Sequence, residues 1–398
     1  MIDIVQEMIA TDTKSSLRIA WLLQGAGHYW QAIVSEFVQI FPNTTVFTAS
    51  WPGFMSGFEN AFALRQVGTV KFFSTFRSTK GYVPGFTYLS PRIVNHLLDY
   101  KPDVVFSVGF TMWTVLALTF KPFNGWKVIV VYDGSSPGVD YRNSWLRMAL
   151  RRYMAKLTDA FITNTEVGKE YLVETLGADP DRVVARPYLV PHPKTYSHCV
   201  DAPDLSELNL QHPVFMFAGH LIPRKGLQEL LEACASLQRR GFQNYTLLVL
   251  GDGAERSKME SFAESENFSH RIKWVGEVCY EHVGAYLQQA DVFVFPTLED
   301  VWGLVAVEAM MFGKPILCSK WGGAVELVID GENGFVFDPH DAETLAELMI
   351  QFMNNSELIE RMGEKSKQIM AHHTPEIVAE SLAQVVAISL GNREATVV

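Results

Sequence analysis

The chain is poor in cysteine, lacks a long apolar run and carries no excess of basic charge. Its four cysteines (Cys199, Cys234, Cys279, Cys318) are scattered through 398 residues with no CxxC spacing. That excludes a disulfide framework or a thiolate metal site and predicts reduced, mostly buried thiols. No stretch approaches the roughly 18 consecutive apolar residues of a bilayer span, and the best run, 112–120, falls far short. Residues 1–16 alternate acidic and apolar positions and lack the basic start and small-residue cleavage pattern of a secretory signal. The expected location is therefore cytoplasmic, and the N-x-Ser/Thr sequons at Asn43, Asn244, Asn267 and Asn354 are not expected to carry glycans. A net charge of −11 argues against general nucleic-acid binding. The charge is uneven, +4 over residues 1–200 and −15 over 201–398. An N-terminal half that faces an anionic membrane surface or a phosphorylated acceptor fits this asymmetry, and so does ordinary surface variation.

With 48% hydrophobic residues the chain has ample core material, and its length implies two domains rather than one. Apolar runs at 17–23, 44–48, 104–108, 127–132 and 160–163 alternate with helical stretches, the pattern of a parallel sheet covered on both faces. The first run ends in Gln24-Gly25-Ala26-Gly27-His28. A dinucleotide fingerprint would need its third glycine where Trp30 stands and an acid after the strand 44–48, where none occurs. Gly25, Gly27 and His28 are instead candidates for the approach of an acceptor or a donor phosphate. Asp133 directly follows a strand, where parallel sheets bind ligands.

Residues 72–88 are aromatic and loop-like, with Lys71, Arg77 and Lys80 nearby. They read as the wall of a substrate cleft or as a surface loop with buried aromatic anchors. The helical stretch 141–157 carries Arg142, Arg147, Arg151, Arg152 and Lys156 among Trp145, Leu146, Leu150 and Met154. It suits either a solvated basic face or an anionic membrane. A proline-rich irregular stretch, 188–213, marks the domain boundary. His192 and His198 there are too poor in partners to suggest a metal.

The second half repeats the plan, with apolar strands expected at 214–218, 246–250, 272–275, 292–295, 315–319 and 335–337. Four strand-end segments carry chemistry. Gly219-His220-Leu221-Ile222-Pro223-Arg224-Lys225-Gly226 sets two cations beside a glycine turn, suited to a diphosphate. Gly251-Asp252-Gly253 is a tight turn. Pro296-Thr297-Leu298-Glu299-Asp300-Val301-Trp302-Gly303 leads through two acids into a helix bearing Glu308. Gly322-Gly323 precedes another helix start, whose N–H groups suit phosphate.

These segments, with the run Gly322 to Gly334 (GGAVELVIDGENG), resemble the retaining GT-B glycosyltransferases of family 4 (glycosyl transferases group 1). The likeness is strong over 210–340 and architectural over 1–200. It implies an α/β GT-B fold: two Rossmann-like doubly wound parallel-sheet domains facing across a cleft. An acceptor-binding domain would span 1–200, and a nucleotide-sugar-binding domain 201–374. A C-terminal helix, about 375–398, would pack back on the first domain. The resemblance further implies that Glu308 holds the ribose hydroxyls and that Asp300, or Glu299, faces the donor sugar. Val301, Trp302, Gly303 and Leu304 would offer backbone N–H groups. Lys225 and the Gly322-Gly323 turn would hold the diphosphate, with Gly219, His220 and Gly251 at the same loops and Val278 beside the base. The chain departs from the family in three places. His220 stands where an arginine is usual, Asp300 where a glutamate is usual, and Tyr132-Asp133 where a histidine follows the strand, so the phosphate clamp would rest on Arg224 and Lys225.

The reaction thus implied moves a sugar from a nucleoside-diphosphate sugar, UDP- or GDP-linked, to a glycan, a lipid-linked or another acceptor, with retention, in polysaccharide or glycoconjugate biosynthesis. No DxD-like acidic cluster suggests a metal, so none is expected, and no cofactor beyond the co-substrate. Peripheral contact of the N-terminal domain with an anionic membrane is a further expectation. The alternative on the same fold is a catalytically altered sugar-nucleotide or glycan-binding protein.

Overall fold

Continuous apolar runs such as Ile19–Leu23 (IAWLL) and Val292–Phe295 (VFVF) form strands buried along their whole length, as expected where helices cover both faces of a parallel sheet. The computed structural model describes residues 11–25, 27–74, 82, 85–197 and 204–392. Among sequence features singled out above, residues 1–10, Arg77, Lys80, His198 and Cys199 lie outside the described residues. The chain divides into two compact units, one of residues 1–77, 83–192 and 373–398, the other of 78–82 and 193–372.

The first unit contains a seven-stranded parallel sheet built from β1 (Ile19–Leu23), β2 (Thr44–Thr48), β3 (Ala63–Gln66), β6 (Val104–Val108), β7 (Lys127–Tyr132), β8 (Ala160–Thr163) and β9 (Val183–Ala185), in the order β3-β2-β1-β6-β7-β8-β9. Helix α1 (His28–Ile40) follows β1, α2 (Ile93–Tyr100) precedes β6, α3 (Met112–Asn124) joins β6 to β7, and α4 (Trp145–Leu157) precedes β8. Thr111 caps α3 in a reciprocal capping box with Thr114, which satisfies donors the first helical turn leaves open. Trp21 stacks on Phe106 of the neighbouring strand at 4.3 Å and meets Phe37 of α1 edge-on, fixing helix to sheet.

At the two ends of the stretch 72–88, read above as the wall of a substrate cleft or as a surface loop with buried aromatic anchors, β4 (Lys71–Ser74) and β5 (Gly85–Tyr88) pair as an antiparallel hairpin. Phe72, Phe73, Phe86 and Tyr88 are exposed. The pair forms its own two-stranded sheet, apart from the seven-stranded one, so its rings have no core to enter.

The second unit holds β10 (Val214–Ala218), β11 (Thr246–Leu250), β12 (Ile272–Gly276), β13 (Val292–Phe295), β14 (Ile316–Ser319) and β15 (Gly334–Phe337), all parallel, in the order β12-β11-β10-β13-β14-β15. Helices α5 (Leu227–Arg239), α6 (Arg256–Ser265), α7 (Leu304–Met311), α8 (Ala342–Asn354) and α9 (Ser356–Met370) accompany it. The last helix, α10 (Pro375–Ser389), belongs to the first unit, where it packs on α1. Thr374 caps it and Pro375 fills its first turn, where the missing N–H costs nothing. No helix among the described residues is long and apolar enough to cross a membrane.

Candidate active site

The strand order of the second unit reverses between β10 and β13. In doubly wound sheets a ligand site opens at this reversal, because the loops leaving the two strands part to opposite faces. Those two loops are 219–226 and 296–303, which carry the paired cations and the paired acids.

Backbone hydrogen bonds lock the loops together before any side chain contributes. The Arg224 carbonyl accepts from the Leu298 N–H at 2.9 Å and from the Thr297 hydroxyl at 3.1 Å. Gly226 closes the first loop at φ +71°, and a Cβ there would lie 1.9 Å from the Pro296 carbonyl oxygen, so only glycine permits the approach. Gly251 plays the same part behind it: at φ +118°, a Cβ would meet the Gly219 carbonyl at 2.0 Å.

This frame brings the charged groups together. Lys225 Nζ lies 2.5 Å from Asp300 Oδ2, Arg224 Nη1 lies 3.6 Å from the same oxygen, and Arg224 donates to the Glu299 carbonyl at 2.7 Å. The Asp300 side chain is only 10% exposed and Lys225 18%, so their attraction is screened far less than a surface pair's. Between the two acids the structure distinguishes roles: Asp300 presents its carboxylate to the cations, whereas Glu299 presents its main chain to Arg224.

The third loop, after β14, contributes differently from expectation. The Gly322 N–H donates to the Ser319 carbonyl and the Gly323 N–H to the Asp300 carbonyl. Both amides that seemed offered to phosphate are committed to the backbone. Together with the Asp300 N–H, which donates to the Trp321 carbonyl at 3.2 Å, they fix Asp300 in place. Similarly, Gly219 and Gly251 donate their N–H groups to Leu250 and Gly276. Trp302 and Gly303 are buried, Leu304 opens α7, and His220 is exposed. Val278 is half-buried beyond β12, after the Gly276-Glu277 turn.

Tyr82, within the stretch 72–88 read above as a cleft wall or a surface loop, belongs to the same unit. Its ring carries the Arg224 guanidinium at 4.1 Å, a cation–π contact. Its hydroxyl accepts from the Val301 N–H, one of the amides assigned to the donor. Burial, and then the Asp300 charge, push the Tyr82 phenol up to about 12.

Glu308 lies one helical turn into α7 and is buried. Burial raises its carboxyl to about 7, against the opposing hydrogen bonds from Tyr280 and Tyr196. The Tyr280 hydroxyl donates to Glu308 Oε1 at 2.6 Å, and the Tyr196 ring packs on Phe312 at 5.2 Å. Both tyrosines were missed in the sequence, since each stands alone in an irregular stretch.

The first unit has its own cluster at the carboxyl ends of β1, β7 and β8. Gly25 leads into Gly27, the N-cap of α1, and His28 opens the helix and is exposed. Asp133 Oδ1 accepts from the Tyr188 hydroxyl at 2.5 Å, and its carbonyl accepts from Asn164. Burial raises the Asp133 carboxyl, opposed by the Tyr188 hydrogen bond. Burial, followed by Asp133, lifts the Tyr29 phenol to about 12. Elsewhere in this unit His192 has the acidic partners its linker position concealed. Its Nε2 lies 3.4 Å from Glu36 Oε1, and ligand atoms of Glu36, His192 and Glu376 all fall within 4.8 Å of one another.

Two Rossmann-like units, the second with cations and carboxylates gathered at its switch point, define a GT-B glycosyltransferase fold. The sequence matches the family described as Glycosyltransferase Family 4 over residues 24–190 and that described as Glycosyl transferases group 1 over 203–369. The chain belongs to this family of glycosyltransferases. An uncharacterized glycosyltransferase of Methanocaldococcus jannaschii, MJ1178, is 31% identical over 153 residues, which cover 38% of this chain and 42% of that one. The D-inositol 3-phosphate glycosyltransferase of Corynebacterium diphtheriae is 26% identical over 258 residues, 62% of this chain and 60% of that one. The chain thus spans about half the length of the curated relatives it matches. Among solved structures, Anabaena Alr3699/HepE in complex with UDP and glucose superposes with a TM-score of 0.70 at 16% identity, covering 93% of this chain and 99% of that one. WaaG, a glycosyltransferase involved in lipopolysaccharide biosynthesis, gives 0.63 at 19%, covering 92% and 99%.

Proposed function

We propose that the chain transfers a glycosyl group from a nucleoside-diphosphate sugar to an acceptor hydroxyl, with retention and without a metal, in the assembly of a glycoconjugate. The observation that carries this reading is the Arg224–Lys225–Asp300 cluster at the switch point of the second sheet. A diphosphate arriving there meets two cations and the N-terminal turn of α7, which together offset the negative charge that develops on the leaving group. As Lys225 turns to the phosphate, Asp300 is released from its ion pair to face the donor sugar. The buried Glu308 accepts the ribose hydroxyls, in exchange for or alongside the tyrosine hydroxyls that it holds. HepE was solved with UDP and glucose, which supports a uridine donor. Named relatives act on an inositol phosphate or in lipopolysaccharide core biosynthesis, which supports a polyol or lipid-linked saccharide acceptor. Asp133, with Gly25, Gly27 and His28, is assigned to the acceptor side.

The test is release of nucleoside diphosphate from UDP-, GDP- and ADP-sugars across a panel of polyol and lipid-linked acceptors, with the product anomer read by NMR. Acceptor-dependent release with a retained anomer is expected. Tight nucleotide binding without turnover on any acceptor would instead mark a binding protein on the same fold.

A further inference from the structure

The first unit exposes two aromatic surfaces that its fold does not use. On α4, Trp145 is 79% exposed, with Leu146, Leu150 and Tyr153 also open to solvent. At 100° per residue these four fall within an arc of about 140° on one helical face. Met148, Met154 and Ala155 are buried on the other side. Lys156 lies within the exposed arc and Arg152 about 20° beyond its edge, and both are exposed.

The second surface is the hairpin. Its register sets Phe73 opposite Phe86 and Lys71 opposite Tyr88. Since alternate residues share a face, Lys71, Phe73, Phe86 and Tyr88 form one side, and all four are exposed. A lone two-stranded hairpin is at best marginally stable in water. Here Arg147 of α4 holds it by donating to the Gly85 carbonyl at 3.0 Å.

Charge is distributed to match. Between Glu59 and Asp99 the chain has no acidic residue and five Lys and Arg, and between Asp140 and Asp159 it again has none and five. The two acids that flank α4 are already neutralised: Asp140 is paired with Arg142, and Asp159 with Lys121 at 2.6 Å.

We propose that α4 and the β4–β5 hairpin together form a docking surface for a lipid bilayer that bears anionic phospholipid. Tryptophan, tyrosine and phenylalanine beside lysine and arginine, in two stretches of sequence that hold no acid, match the chemistry of the headgroup boundary. Rings enter the acyl edge while the cations meet phosphates. A second copy of the chain suits the surface poorly, because a self-contact would set basic patch against basic patch.

The test is co-sedimentation of the full chain with phosphatidylcholine vesicles, with and without phosphatidylglycerol. Binding that requires phosphatidylglycerol and weakens with added salt is expected. Lys71→Glu/Lys156→Glu lowers the partition coefficient roughly 25-fold or more, about five-fold for each basic group removed. Trp145→Ser/Phe86→Ser lowers it as well. All four residues are exposed, so nucleotide binding and thermal unfolding of the variants stay near wild type and report that they fold. Failure of the wild type to sediment with anionic vesicles overturns the proposal, as does binding that neither double variant weakens. Self-association lost in Trp145→Ser/Phe86→Ser, without vesicle binding, overturns it in favour of a protein contact.

Discussion

Lys225 and Asp300, 75 residues apart in sequence, hold each other at 2.5 Å across the switch point of the second sheet. Each is mostly buried, so removing one partner leaves the other charge poorly solvated. Asp300→Ala is expected to destabilise the fold by about 2–4 kcal/mol. The double variant Lys225→Met/Asp300→Leu is expected to lose much less. Urea unfolding of the three proteins and wild type checks this, and a fully additive double variant would show that the pair is not coupled.

Glu308 predicts a pH dependence whose sign follows from its carboxyl. Burial raises it from 4.5 in the unfolded chain to about 7 in the fold. The folded state therefore holds the proton more tightly, and its contribution to stability is full below pH 4.5 and is lost as pH rises to about 7. Glu308→Gln flattens stability over that window. Donor binding runs the other way, because the ionised carboxylate is the better acceptor for ribose hydroxyls. Nucleoside-diphosphate affinity rises from pH 6 towards 8 in the wild type, and in Glu308→Gln it does not. Calorimetric titration at several pH values reads both signs.

Tyr82 takes the Val301 N–H and supports Arg224. Tyr82→Phe keeps the ring under the guanidinium and removes only the oxygen. It frees one amide at the start of α7, and affinity for a nucleoside diphosphate is expected to rise a few-fold, the size of one modest hydrogen bond. Unchanged or weaker binding would show that the phenol does not compete with the ligand.

Asp133 separates acceptor from donor. Its half-buried carboxyl accepts from Tyr188 in the first unit, and Asp133→Asn preserves its shape. Turnover on acceptor should fall about ten-fold or more, while the Kd for nucleoside diphosphate stays put. Equal loss in both would place Asp133 outside the acceptor's chemistry.

Much of the fold was legible where strands are buried on both faces. The runs at 44–48, 104–108, 127–132, 160–163, 214–218, 246–250 and 292–295 coincide with β2, β6, β7, β8, β10, β11 and β13, because uninterrupted apolar runs of that length have few other homes. The sheet edges were not legible: β3 reads ALRQ and is mostly exposed, so no hydrophobic pattern marks it. The strands β4 and β5 were read as loop, and their rings as buried anchors in one of two readings, since aromatic residues normally signal burial and these do not bury. In the site, Glu308 and the Arg224-Lys225 pair stood out because strand, turn and helix start occur in order. Tyr82, Tyr196, Tyr280 and Tyr188 did not, since each acts through contacts 24 or more residues distant that no local spacing encodes.

The central claim is that the second unit holds the nucleoside diphosphate through Lys225 and Glu308. Calorimetric titration of UDP and GDP into wild type, Lys225→Ala, Glu308→Gln and Asp133→Asn tests it most directly. The account predicts a loss of about ten-fold or more in affinity for each of the first two variants, the value of one charge-assisted contact, and wild-type affinity for Asp133→Asn. Wild-type affinity in Lys225→Ala and Glu308→Gln, or a loss confined to Asp133→Asn, would contradict it.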